Sequence, residues 1–502
     1  MIRSLCVLGG GTAGLISALM MRKAYPTLKI TILESSKIGI IGVGEGSTEH
    51  WKPFMEYIDV DVPTIVRECG STFKIGIKFT NWNGDGKSYW HSLTEQYNTL
   101  HQDNDAPLSW FRYTGENWDP EETAWDLSRN SKHPEPFHEI ISQYHFDTFK
   151  LNKFFHKLCA ERNIEVIDTD ISDVIVDKDG YADYLIDEHG KQYKADFYID
   201  SSGFRRIISS KLGAKWVDKQ KQLPMNSAIA FPTGYTENIP SYTEATALSS
   251  GWVWRIPTQE RYGNGYVFCD NFINETQAYD EVSKHYKENL KITQELEIGR
   301  KVKFSAGYLD KFWIKNCLTV GLSGMFVEPL EASSIGSTIQ EIRLAIPSFH
   351  YWTRGETITE NVFNDRMIRI AENIVDFIQL HYITKRNDTE FWKWVNKEIV
   401  YTDFIRENLE YFKKNGVNSQ MFGIEPLYMF SYLNWSQVMH GLSLFDYDAR
   451  KKYWEEFWSK EHSENLDNLF KHGNAVDMST VRTHREALNI LKERYLEVRY
   501  EL

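Results

Sequence analysis

The chain has 502 residues, enough for two domains or one large α/β body with an elaboration, and 42% of them are hydrophobic, which suits a substantial core. A formal charge of -13 argues against nucleic acid as a partner. The five cysteines (Cys6, Cys69, Cys159, Cys269, Cys317) show no C-x-x-C spacing and read as reduced core thiols. No apolar run reaches membrane length and a strand-like run begins almost at Met1, so the expectation is a cytoplasmic protein with no signal peptide and no membrane partner. With 16 Trp, 27 Tyr and 28 Phe the chain is unusually aromatic, which serves a core and also suits a site for a flat organic molecule.

Residues 4–8 (SLCVL) form a short apolar run of buried-strand type. They enter GGGTAG, in which Gly9, Gly11 and Gly14 have G-x-G-x-x-G spacing, followed by a helical pattern over 15–24 and a second strand over 29–34 that ends in Glu34. This is a dinucleotide-binding βαβ unit. Gly9 makes the tight turn, Gly11 lets the backbone approach a pyrophosphate, and Gly14 lets helix and strand pack closely. The helix N-terminus at Thr12 and Ala13 offers N–H groups to phosphate, and Glu34 is placed for a ribose diol. The motif alone does not separate NAD from FAD. Gly39, Gly42, Gly44 and Gly46 follow, with Val43 between them; such a segment passes close to a ligand or is a surface loop.

Residues 73–80 alternate strictly, placing Phe73, Ile75, Ile77 and Phe79 on one face of a single strand and Lys74, Gly76 and Lys78 on the other. Either the lysines are solvated, or one enters a cavity where desolvation lowers its pKa and exposes a reactive amine. The GDGKS run at 84–88 lacks the first glycine of a phosphate loop and reads as a turn. Residues 88–136 are aromatic-rich and irregular, as expected of an insertion that forms part of a substrate pocket. His91, His101, His133, His138 and His145 have no compact ligand spacing, so no metal is expected. A helix over 147–162, strands over 164–177, 181–186 and 192–200, and a strand over 251–257 follow, with Trp252 and Trp254 on one face of the last. Residues 319–336 run from an apolar strand through Gly321, Phe326 and Glu331 into a helix opened by Ser333 and Ser334, a ready anion site. Helices over 368–382, 404–414, 450–471 and 480–500 complete the chain.

Five separated stretches then match one family: GGGTAG (9–14), GVGEGST (42–48), FKIGIKFTNW (73–82), GWVWRIP (251–257) and VEPLEASS (327–334), with DFIQLHY (376–382) and NDTEFW (387–392) also fitting. The chain resembles the flavin-dependent halogenases of the tryptophan-halogenase group over about residues 1 to 400. The resemblance implies an α/β fold with an FAD-binding, Rossmann-like domain of the flavoprotein-monooxygenase type, additional β-sheet and a mainly helical substrate region. The FAD module would be 1–85 and 140–385, the substrate region 86–139 and 386–502. It implies FAD used as FADH2 from a separate flavin reductase, a halide (chloride, bromide or iodide), and hypohalous acid delivered through a tunnel to a lysine beside a small aromatic substrate. Lys74 takes the family's lysine position, with Lys78 secondary. Glu331 takes the glutamate position, orienting the halogen donor or accepting the arenium proton. The halide would sit on the backbone N–H groups of Ser333 and Ser334. Trp252, Trp254 and Pro257 belong to the tunnel wall, His91 falls where relatives stack a histidine on substrate, and Gly42, Val43, Gly44, Gly321 and Phe326 join the cofactor set.

Two departures bear on specificity. The family's common E-S-T-G reads Glu331-Ala332-Ser333-Ser334 here, which leaves halide preference open. The C-terminal run of tyrosines, a glutamate and an F-W pair that holds free tryptophan has no counterpart in 421–444. The expectation is therefore another electron-rich aromatic, an indole or a phenol. The alternatives are a flavin-dependent aromatic hydroxylase, an NAD-dependent dehydrogenase, and a non-catalytic FAD-binding protein. Assembly as a monomer or a homo-oligomer is open.

Overall fold

The computed structural model describes residues 2–39, 45–92, 127, 130–137, 141, 143–417, 428–449, 452, 456, 461 and 477–500, with side chains of the last helix to Arg494. The fold is α/β, as the sequence implies. Ser4–Leu8, Thr12–Ala24 and Lys29–Glu34 form the expected strand, helix and strand. Leu5, Val7 and Leu8 are buried, so the strand is covered on both faces, the position a continuous apolar run fits. It lies centrally in a six-stranded sheet, ordered Trp313–Ile314, Cys317–Thr319, Phe197–Asp200, Ser4–Leu8, Lys29–Glu34 and Glu165–Asp168. All of its pairings are parallel except the hairpin of the first two strands.

A second, seven-stranded sheet runs Arg300–Lys303, Ser227–Gly234, Arg261–Phe268, Gly251–Pro257, Thr243–Ala247, Gly76–Thr80 and Ser88–Ser92. A third, small sheet joins Glu45–Gly46, Gln143–Phe146 and Thr72–Lys74. Residues 73–80 are thus not one strand. The chain changes sheets at Ile75, whose N–H donates to the Ser241 carbonyl at 2.8 Å. A Cβ at Gly76 would lie 2.4 Å from the His91 carbonyl oxygen, so this position admits only glycine beside its neighbouring strand. Alternation alone cannot reveal such a change, because both halves keep period two. The expected strands over 164–177 and 192–200 divide in the same way, into Glu165–Asp168 with Ile171–Val176 and into Gln192–Tyr193 with Phe197–Asp200. The 84–88 run is a turn, with Gly84 and Gly86 at positive φ.

The helix over 147–162 is Thr148–Glu161, and Asp147 caps it by accepting from Phe149 and Lys150 N–H. The helices expected over 368–382, 404–414 and 480–500 are Ile358–Leu380, Asp403–Asn415 and His484–Tyr500. Most of 450–471 and of the 88–136 segment, together with His101, His138, Gly42, Val43 and Gly44, lie outside the described residues. Among the described residues no helix is long and apolar enough to cross a membrane.

The Ser333–Trp352 helix packs beside Thr12–Ala24 and carries a buried acid, Glu341. The Gly321 N–H donates to Glu341 Oε2 at 2.8 Å, and Oε1 has no partner among the described residues. Burial pushes this carboxyl up to about 8, against which the one backbone bond works weakly. Its folded pKa exceeds its unfolded one, so its contribution is full below the unfolded pKa and is lost as pH rises through about 8. Glu341→Gln, which keeps the acceptor for Gly321, is expected to melt like the native chain near pH 5 and at higher temperature near pH 9, in calorimetry across that range. Parallel melting curves for the two proteins at every pH would exclude a neutral Glu341.

Candidate active site

The Gly-rich turn builds a cradle. Gly9 has φ +117°, and a Cβ there would lie 2.3 Å from the Ser201 carbonyl oxygen. A Cβ on Gly14 would sit 2.0 Å from the Gly9 carbonyl oxygen, so helix and strand approach as close-packed glycine permits. Gly11 differs: a Cβ there meets nothing within 4 Å, because it faces open space. That space is a cavity of about 640 Å³ bordered by Gly9, Gly11, Thr12, Ala13 and Glu34. Gly11 is the helix N-cap and no side chain caps it, so first-turn N–H groups are available to an anion. Glu34 Oε2 lies 3.2 Å from His156 Nε2, and Asn152 donates to the Gly10 carbonyl at 2.9 Å. Phe149, Asn152 and His156 share a face of the Thr148–Glu161 helix and border this cavity; nothing in the local sequence marks them. Gly321 is buried and packs on the nucleotide helix, where a Cβ would lie 2.5 Å from Ala13 Cβ. An open glycine edge, an uncapped helix start and a terminal acid fit the ADP half of FAD.

A second cavity of about 220 Å³ continues from the first, sharing Glu45, Phe204, Leu322, Ser334 and Ile335 as wall. Trp252, Trp254, Phe326, Glu328 and Ser333 also border it. Trp252 and Trp254 alternate onto one face of Gly251–Pro257, with ring centroids 6.2 Å apart. Glu328 Oε1 accepts from Trp252 Nε1 at 3.1 Å and from the Tyr382 hydroxyl at 2.6 Å, and burial pushes its carboxyl up to about 8. The Pro257 carbonyl accepts from Thr72 Oγ1 at 2.7 Å, which ties the tryptophan strand to the lysine strand.

Lys74 is 1% exposed and donates from Nζ to the Ser47 carbonyl at 2.7 Å. Its Nζ lies 3.2 Å from where a Gly46 Cβ would stand, and Gly46 borders the second cavity. Burial lowers the amine to about 8, against the opposing charges of Glu331 and Glu49. The solvated-lysine reading therefore fails for Lys74. Lys78 is half-buried, with Nζ 5.9 Å from the centroids of both Trp90 and Tyr242.

Glu331 is buried between two histidines, with Oε2 2.8 Å from His91 Nδ1 and Oε1 2.9 Å from His381 Nε2. Asn434 Nδ2 lies 2.9 Å from His91 Nε2, and an amide N–H can only donate, so Nδ1 of His91 carries the proton that faces Glu331. The Tyr89 hydroxyl, 3.0 Å from His381 Nδ1, fills the same role for the other ring. Burial is the largest influence on Glu331 and raises its pKa, but His91 and His381 together outweigh it and hold the carboxyl down at about 2. Burial lowers the pKa of His381 itself, against the raising influence of Glu331. His91 also packs against Phe377 and Phe430, at 5.2 and 6.3 Å, and borders neither cavity.

Ala332 turns through φ +53° and is the N-cap of the Ser333–Trp352 helix, which no side chain caps. That turn sends Glu331 toward the histidines while Ser333 and Ser334 open the helix on the cavity wall. Glu328, Tyr382, His381, Tyr89 and Asn434 escaped sequence reading, although His381 and Tyr382 close the quoted DFIQLHY. Among the described residues no cluster of His, Cys, Asp and Glu could hold a metal ion.

The model of the tryptophan halogenase family matches residues 4–453. The chain is 29% identical over 441 residues to tryptophan 6-halogenase ThaL of Streptomyces albogriseolus, and 28% identical over 440 residues to tryptophan 7-halogenase RebH of Lentzea aerocolonigenes. Each match covers 82% of this chain and 82% of the relative. In structure it is similar to a tryptophan halogenase from Shewanella frigidimarina, at TM-score 0.85 and 22% identity over 98% of both chains. A match that runs through the nucleotide cradle, the Trp252 strand and the Glu331 turn leaves one assignment: the chain belongs to the tryptophan halogenase family and is a flavin-dependent halogenase.

Proposed function

We propose that the chain uses FADH2, oxygen and halide to form hypohalous acid, and that Lys74 delivers the halogen to an electron-rich indole or phenol other than free tryptophan. The observation that carries this reading is Lys74: a buried amine lowered to about 8 and packed against Gly46, which borders a tryptophan-lined cavity that continues from the nucleotide cradle. Reduced FAD, when bound, would supply two of the four electrons that oxygen takes up and halide the other two, with hypohalous acid, water and oxidised FAD as the products. The cradle residues Gly9, Gly11, Thr12, Ala13, Gly14 and Glu34 bind the ADP half, with Gly321 packed against Ala13 and Phe326 bordering the second cavity. The cytoplasm is its setting, a separate flavin reductase is its partner, and residues 1–85 with 140–385 form its FAD module.

The chain's own residues then account for the rest. The first-turn N–H groups at Ser333 and Ser334 present a helix N-terminus to halide. Trp252 and Trp254 wall the passage with apolar surface, which excludes water from a strong oxidant. Lys74 Nζ either donates a hydrogen bond to hypohalous acid as an ammonium or, as a free amine, exchanges a proton for halogen and releases water. Glu331 stays anionic at every working pH because His91 hydrogen-bonds one of its oxygens and His381 lies 2.9 Å from the other, so it orients the halogen donor and takes the proton of an arenium, which is acidic enough for a weak base.

Three outcomes test the reading. Lys74→Ala is expected to bind FAD and give no halogenated product with reduced FAD, oxygen, halide and a panel of indoles and phenols, read by product mass; hydroxylated product independent of halide from the native chain sinks the proposal. The native kcat is expected to change across about pH 8, falling if the ammonium donates and rising if the free amine carries the halogen, since this lysine's folded pKa lies below the ordinary value. A flat kcat over that range removes Lys74 from the reaction. Gly11→Val puts a side chain into the open cradle without an internal clash, so FAD affinity is expected to fall by at least about tenfold with the melting temperature kept. Unchanged affinity in a fluorescence titration would place the cofactor elsewhere.

A further inference from the structure

We propose that His484, at the start of the final helix, is a positioning residue for Lys74. The importance of the proposal rests on the halogen-holding role of Lys74, but its geometry does not. Thr72–Lys74 is a three-residue edge strand whose one strand partner is Gln143–Phe146, with Phe73 opposite Tyr144. Among the described residues its outer edge has no further strand. There the Phe73 N–H donates to His484 Nε2 at 2.9 Å, across 411 residues of sequence. The same imidazole lies 4.9 Å from the Phe73 ring, 19° from parallel. A buried edge strand needs an acceptor for that amide, and an imidazole nitrogen supplies it.

The tautomer follows from the partners. Because Nε2 accepts, Nδ1 carries the proton, and it faces the Ile239 carbonyl and Ser241 Oγ, each at 3.0 Å. Burial lowers His484 to about 3, so the ring stays neutral and Nε2 stays an acceptor. Ser241 closes the arrangement. Its hydroxyl also meets His133 Nε2 at 2.7 Å, and its carbonyl accepts the Ile75 N–H at 2.8 Å. The amides on both sides of Lys74, those of Phe73 and Ile75, thus end on one cluster. His484 is fixed in turn: its N–H donates to the Ser131 carbonyl at 2.9 Å, and Arg482–Thr483 pairs with Lys132–His133. The Lys74 side chain leaves this pinned backbone toward the Ser47 carbonyl, so the end of the chain helps to set where the amine stands.

The test uses two substitutions that split the imidazole's functions. His484→Gln places an acceptor near the Nε2 position; His484→Asn mimics Nδ1 and leaves the Phe73 amide without one. Labelling of Lys74 by an amine-reactive reagent, followed across pH by peptide mass spectrometry, reads the amine without reference to catalysis. In the Asn variant the labelling midpoint is expected to move up by about one pH unit, a tenfold change in amine fraction, while the Gln variant tracks the native chain. A midpoint unchanged in Asn, or shifted equally in Asn and Gln, overturns the proposal. Halogenation kcat is expected to fall in Asn and recover in Gln at constant KM for substrate. A shifted midpoint with unchanged kcat upholds the positioning and refutes instead the catalytic reading of Lys74. Should His484→Asn not fold, hydrogen exchange in the native chain decides: a Phe73 amide that exchanges as fast as an unprotected loop amide overturns the proposal.

Discussion

An amine buried away from water is the constraint around which the site is built. An ammonium inside a protein is costly unless it is hydrogen-bonded and near an opposite charge. Lys74 has one carbonyl, Ser47, and feels the charges of Glu331 and Glu49, and with that support burial lowers it only to about 8. An amine at that value exists in both forms near neutrality, which suits the halogen-holding role proposed for it. A better solvated lysine would be ammonium throughout; a less supported one would be free amine throughout.

Glu331 faces the inverse problem and is solved in the inverse way. Burial alone would neutralise it, and the hydrogen bond from His91 together with the close approach of His381 keeps it charged. Each imidazole is committed to one tautomer by a further group, Asn434 or Tyr89, so the anion is held by a layered network. Glu328, three residues earlier, has no histidine against it among the described residues and takes its hydrogen bonds from Tyr382 and Trp252, and burial pushes its carboxyl up to about 8. The two acids of the 327–334 stretch thus differ in charge because of their partners. One is an anion near Lys74, the other a neutral brace for Trp252.

The Ser333–Trp352 helix binds these parts together. Its first residues border both cavities or the second alone, its Glu341 holds Gly321 against the nucleotide helix, and its Gln340 Nε2 donates to His50 Nε2 at 2.6 Å beside the lysine's carbonyl segment. A displacement of this helix would therefore reach cradle, anion site and lysine together.

Local information settled the cradle and the composition of the site. The spacing of Gly9, Gly11 and Gly14, the acid at Glu34 and the tryptophan alternation at 252 and 254 are short-range patterns, and each takes the local conformation expected of it because a turn, a helix start or a strand face is decided by neighbours in sequence. The resemblance over 73–82, 251–257 and 327–334 carried the family. Tertiary structure decided what each side chain meets. The break at Ile75 arises from two sheets competing for one alternating run, invisible to periodicity. His91 sits on Glu331 because Asn434 and the Phe377–Phe430 pair, far along the chain, enclose it. The acceptor for the Phe73 amide comes from residue 484 for the same reason: a hydrogen bond across 411 residues leaves no mark in the sequence around either end.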